Sequence, residues 1–130
     1  RVGYAIARAA VAANLRRVSV PFAVSNLAQQ AAIASLEAEP ELQQRIDVIV
    51  AERARVLAEL RALGWAAPDS FGNFVWLRTG ARTPEIDLAL QQHAVVARAY
   101  GAEGLRITVG TREMNDRFLA AIAGVAPVTA

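Results

Sequence analysis

VVARAYGAEGLRITV, residues 95–109, is the stretch whose reading decides the fold. Its ends, VVAR (95–98) and LRITV (105–109), are rich in β-branched residues, and Leu105, Ile107 and Val109 alternate as one buried strand face requires. Gly101 and Gly104 supply turn chemistry between them. The pattern predicts an antiparallel hairpin closed by a loop of about three or five residues around Ala102. That centre sets Arg98 directly opposite Arg106, on one face. Like charges facing each other destabilise a sheet, and an anion between them turns repulsion into attraction. The planar guanidinium fork suits a carboxylate or a phosphate. A slip of one residue sends the two arginines to opposite faces. A second reading stays open beside this one: Arg106 lies along an edge strand, its stem on apolar surface and its head in water.

Working outward, Thr83-Pro84-Glu85 opens a helix that ends near His93, with Thr83 as cap and Pro84 at the first position. NFVWLR (73–78) reads as a strand, PDSFG (68–72) as a turn, and 65–67 as a short strand. Thr111 caps a last helix to about Ile122, and the tail GVAPVTA is expected to fray. The strongest helical period in the chain runs over 41–63: Leu42, Ile46, Ile49, Val50, Val56, Leu57, Leu60 and Leu63 recur at spacings of three and four, and Gly64 stops it. Further upstream, 1–7 reads as a strand, 8–18 as an alanine-rich helix, and Ser25 or Asn26 caps a helix to about Leu36. Residues 65–124 therefore predict an α+β sandwich, helices covering one face of a mostly antiparallel sheet.

The 130 residues suit one domain of ordinary size. Alanine accounts for 29 of them, so much of the 55% hydrophobic content is helix-forming filler rather than bulky core. No apolar run approaches the roughly 18 residues that span a bilayer, so no membrane partner is expected, and no signal peptide is read at the N-terminus. There is no cysteine, which excludes disulfides and thiolate metal sites. All fourteen basic residues are arginine, interleaved with acidic ones. That pattern lacks the basic stripe of a nucleic-acid binder.

Several segments resemble one family. GLRITVGTREMNDRFLAAI (104–122) resembles the C-terminal signature of the fold-type-I, pyridoxal-phosphate-dependent aminotransferases, in the branch of the histidinol-phosphate and aromatic-amino-acid enzymes. RVGYAIA (1–7) resembles the stretch just after that family's Schiff-base lysine. VPFAVSNLAQQAAIASL (20–36) resembles the large-domain helix that follows, and FGNFVWLR (71–78) a small-domain strand with an Asn-Phe pair. The resemblance implies that Arg106 holds the substrate α-carboxylate, that Arg98 faces the same pocket, and that Arg1 contacts the phosphate of pyridoxal 5'-phosphate. Asn73 reads as a substrate-site residue that orients backbone near that pocket, beside an open alternative, a turn-forming asparagine before a strand. It implies an α/β architecture: 1–36 a remnant of the large cofactor-binding domain, 37–64 a long linking helix, 65–130 the small domain. It also implies a cytoplasmic homodimer of amino-acid biosynthesis that moves an amino group between an amino acid, histidinol phosphate or an aromatic one, and a 2-oxo acid such as 2-oxoglutarate.

One departure is large: the chain has no lysine. By the resemblance it is roughly the C-terminal third of an aminotransferase, starting just after the catalytic lysine, and inactive alone. An arginine cannot replace that lysine as amine nucleophile or base, because it stays protonated. A different class remains open from the 65–124 pattern, a non-catalytic α+β interaction module. The single histidine, His93, reads as a helix-terminal residue, with no metal ligand at useful spacing. Glu52/Arg55 and Asp87/Gln91 read as a solvated helix face.

Overall fold

The computed structural model describes residues 2–128. In chain order the elements are helices α1 (Ala9–Val18), α2 (Asn26–Glu37) and α3 (Glu39–Ala62), strand β1 (Phe74–Leu77), a 3-10 turn (Gly80–Arg82), helix α4 (Thr83–Gln92), strands β2 (Arg98–Tyr100) and β3 (Gly104–Thr108), and helix α5 (Arg112–Ala123). They fall into two compact units, residues 1–44 and 45–130, divided within α3.

In the first unit, the Ser25 hydroxyl accepts from the Ala28 N–H at 3.2 Å and starts α2, the capping the sequence predicts. Residues 2–8 form no strand, against expectation. A strand exists only by pairing, and no β-ladder partner for them exists among the described residues. None of the described residues of this unit is buried.

The second unit contains the core. Its sheet is antiparallel, ordered β1-β3-β2. Val75 and Leu77 of β1 meet Ile107 and Leu105 of β3 on the inner face. Onto them pack Val56, Leu57 and Leu60 of α3, Ile86 and Leu90 of α4, and Phe118 and Ile122 of α5. The α+β reading, helices on one face of an antiparallel sheet, holds. The long helix also ends where expected. Gly64 takes a left-handed φ of 87°, which lets its N–H donate to the Arg61 carbonyl (3.0 Å) and the Trp65 N–H to the Leu60 carbonyl (2.9 Å).

At four further places the structure differs from the sequence expectation. Residues 65–67 are not a strand: the Ala67 N–H turns back to the Trp65 carbonyl (2.8 Å), and the Ala67 carbonyl accepts from Arg61 Nε and Nη2 (3.1 and 3.0 Å). The strand read at 95–98 starts at Arg98, because the Val95 N–H still closes α4 on the Leu90 carbonyl (3.0 Å). Thr83 is the first residue of α4 rather than its cap, and its hydroxyl donates back to the Gly80 carbonyl (2.7 Å). The tail does not fray before 128: Val125 and Val128 pack on the core, and Arg82 Nη1 donates to the Ala126 carbonyl at 2.9 Å.

Candidate functional site

The register of the hairpin is the predicted one. Arg98 stands opposite Arg106, with Ala99 opposite Leu105 and Tyr100 opposite Gly104, closed by the three residues Gly101–Glu103. Both arginines therefore share the outer face, away from the core side chains Leu105 and Ile107. On the other side of β3, Trp76 of β1 stands opposite Arg106. One row across the sheet thus reads Trp76, Arg106, Arg98.

Aromatic rings frame this row. Arg106 Cζ lies 5.6 Å from the centre of the Phe74 ring, and Arg98 Cζ lies 5.4 Å from that of Tyr100. Trp76 and Tyr100 meet edge to face at 5.7 Å, their planes 68° apart. A guanidinium over a ring face is attracted by the ring quadrupole, so each arginine is held by a π-face. Gly104 makes room for this. A Cβ there would strike the Leu77 carbonyl oxygen and come within 2.7 Å of Trp76 Cζ2.

Neither arginine's side chain forms an ion pair or a hydrogen bond among the described residues. Arg98 is exposed and Arg106 half-buried. The Nε of Arg106 is itself buried and has no hydrogen-bond partner. Leaving a charged donor buried and unsatisfied is costly, so such groups are normally paired. Chemically the face offers two forked cations, aromatic walls and an unmet donor. That set fits an anion carried on a small, partly apolar molecule.

Asn73 immediately precedes Phe74. It is exposed, its carbonyl accepts from the Val109 N–H at 2.8 Å, and its side chain makes no hydrogen bond among the described residues. Arg1 lies outside the described residues. His93 caps the end of α4, exposed. Beside the arginine row is an open depression of about 730 Å³, lined by Ala66, Trp76, Arg78, Gly80, Glu103 and Val128.

The sequence reading missed two features. The rings beside the arginines were signalled by spacing: Tyr100 is two residues from Arg98, and Phe74 and Trp76 alternate in β1, so all face one way. Glu52 had no such signal, and the solvated-face reading of Glu52/Arg55 is overturned. Glu52 is only 8% exposed. It accepts from Arg55 Nη2 (2.7 Å) and from Asn115 Nδ2 (2.9 Å), while Arg55 also pairs with Asp116 (2.8 Å). The Arg55 hydrogen bonds first, then that from Asn115, lower the Glu52 pKa to about 2.

Comparison with known proteins bears on the same residues. The family model for aminotransferase class I and II matches residues 1–122. An aromatic amino acid aminotransferase of Streptomyces avermitilis is 55% identical over 119 residues, 92% of this chain and 33% of the relative. The chain thus spans about a third of the length of that curated relative. A solved protein from Burkholderia pseudomallei superposes with a TM-score of 0.74 at 28% identity, over 88% of this chain and 36% of the other. The histidinol-phosphate aminotransferase of Clostridium acetobutylicum shares the fold, with a TM-score of 0.72 at 24% identity, over 90% of this chain and 38% of the other.

Proposed function

The chain belongs to the class I and II aminotransferases, and from that premise we propose that it is the part of such an enzyme that holds the substrate by its carboxylate. In this reading the enzyme transfers an amino group from an aromatic amino acid to a 2-oxo acid such as 2-oxoglutarate. The observation that carries the proposal is the unpartnered Nε of Arg106, half-buried beside Phe74 and opposite Arg98. Arg106 donates its fork to the α-carboxylate. Arg98, exposed across the hairpin, meets a second anionic group or steers the first inward. Phe74, Trp76 and Tyr100 suit an aromatic side chain, which agrees with the name of the Streptomyces relative.

Pyridoxal phosphate, when bound, supplies the electron sink for amino-group transfer. The donors on this face are guanidinium groups, and the 130 residues contain no lysine. They fit the substrate's carboxylate, while the cofactor-linked lysine comes from sequence outside these residues, and Arg1 takes the cofactor phosphate. Residues 1–36 then belong to the large domain, 37–64 to a linking helix and 65–130 to the small domain of a cytoplasmic homodimer. Alone, the chain is inactive in transamination.

The test uses the longer protein that carries this segment. Arg106→Lys keeps the charge and loses the fork, so KM for the amino acid should rise about 10- to 100-fold, the worth of a charge-assisted hydrogen bond. Cofactor affinity, read by absorbance titration, should stay unchanged. An equal loss of both assigns Arg106 a structural role and defeats the proposal.

A further inference from the structure

Gly110, four residues after Arg106, is held from both sides by one side chain. Asn115, in the first turn of α5, donates Nδ2 to the Gly110 carbonyl (3.1 Å) and accepts the Gly110 N–H on Oδ1 (3.0 Å). Its Nδ2 also donates to Glu52 Oε2 on α3 at 2.9 Å. Both amide hydrogens and the oxygen are therefore engaged, and the asparagine has one orientation. Glu52 is anchored in turn by Arg55 at 2.7 Å and by Arg112 at 3.5 Å.

The neighbouring residue of α3 grips the adjacent strand. Arg53 Nη1 donates to the Gly72 carbonyl at 2.8 Å, just before Asn73 and β1. The Val109 N–H then joins the two strands through the Asn73 carbonyl at 2.8 Å. Two consecutive residues of one helix thus hold the entry to β1 and the exit from β3. Between these fixed points lie Phe74 and Arg106, 5.6 Å apart, ring centre to Cζ.

A buried charge cluster is a poor source of stability, since well-packed apolar residues of similar volume commonly serve as well or better. What the cluster supplies is one geometry. We propose that Glu52 and Asn115 are positioning residues for Arg106: they fix the β3–α5 corner, and with it the direction of the guanidinium on the outer face. The proposal rests on the reading of Arg106 as the carboxylate-holding arginine.

The test again uses the longer protein. Asn115→Ala should raise KM for the amino acid about three- to tenfold, the range of one or two neutral hydrogen bonds, with kcat and cofactor affinity unchanged. Glu52→Gln keeps an acceptor for Asn115 but removes the charge that anchors Arg55 and Arg112, so its KM should rise by the lower end of that range, about threefold, and it serves as the second variant should Asn115→Ala fail to fold. The deciding measurement is a double-mutant cycle with Arg106→Lys. A positioning role requires that either change adds little once Arg106 is replaced. Full additivity, or parallel falls in kcat and cofactor affinity, overturns the proposal and leaves the role of Arg106 intact. Should Arg106→Lys alone leave KM unchanged, both ideas fail, and the single-variant arm identifies that outcome.

Discussion

Gly104 in the hairpin and Ala94 at the end of α4 show opposite fits between a residue and its backbone position. Gly104 sits where a side chain would strike the Leu77 carbonyl oxygen and crowd Trp76. Gly104→Ala should cost more than about 2 kcal/mol by denaturant unfolding, because backbone rather than a flexible side chain would have to move. Ala94 has the opposite mismatch. It occupies the residue after the cap of α4 with φ 56°, a left-handed conformation that disfavours any Cβ. Ala94→Gly should stabilise the fold by about 0.5–1 kcal/mol, after the greater unfolded-chain entropy of glycine is subtracted. Unfolding midpoints in urea check both. Of the site itself, the facing of Arg98 and Arg106 was legible, since two positions equidistant from a turn centre must pair. The unmet Nε of Arg106 was not, because a missing partner becomes visible only in three dimensions.

At the scale of elements, α3 and α5 are joined by a carboxylate whose proton equilibrium reports on the joint. Glu52 ordinarily titrates near 4.5; hydrogen bonds from Arg55 and then Asn115 bring it to about 2 in the folded chain. A depressed carboxylate pKa means that folding favours the ionised form. Its contribution is complete above about pH 4.5 and is lost as the pH falls toward 2. Thermal melts of the chain should show Tm falling across that window, and Glu52→Gln should flatten the fall. An identical acid profile for the two proteins would remove Glu52 from the joint. The helices themselves were readable from period and caps: 41–63 became Glu39–Ala62, and Thr111 caps α5 through the Met114 N–H at 3.4 Å. Strand ends were less so. Residues 65–67 and 95–97 have strand-like composition, but the Trp65 and Val95 N–H groups close the ends of α3 and α4, and the Ala67 carbonyl is taken by Arg61.

Across the whole molecule, burial is unevenly shared. Residues 2–44 contain no buried side chain, whereas the buried core residues all lie between 52 and 122. Few buried apolar contacts mean a low free energy of local opening. Trypsin should therefore cut at Arg8, Arg16 or Arg17 well before Arg61 or Arg106, and mass spectrometry of an early time point reads the order. Early cleavage inside 52–122 would contradict this. What the sequence by itself determined was local: the long helix, the Ser25 and Thr111 caps, the arginine register and the family motifs, each set by residues within about one element of one another. What only the tertiary structure decided was the surroundings of those residues. Glu52 meets Asn115 across 63 positions, and Trp76 meets Arg106 across a strand pairing. Burial, partners and pKa follow from such distant contacts, which a pattern of neighbours does not encode.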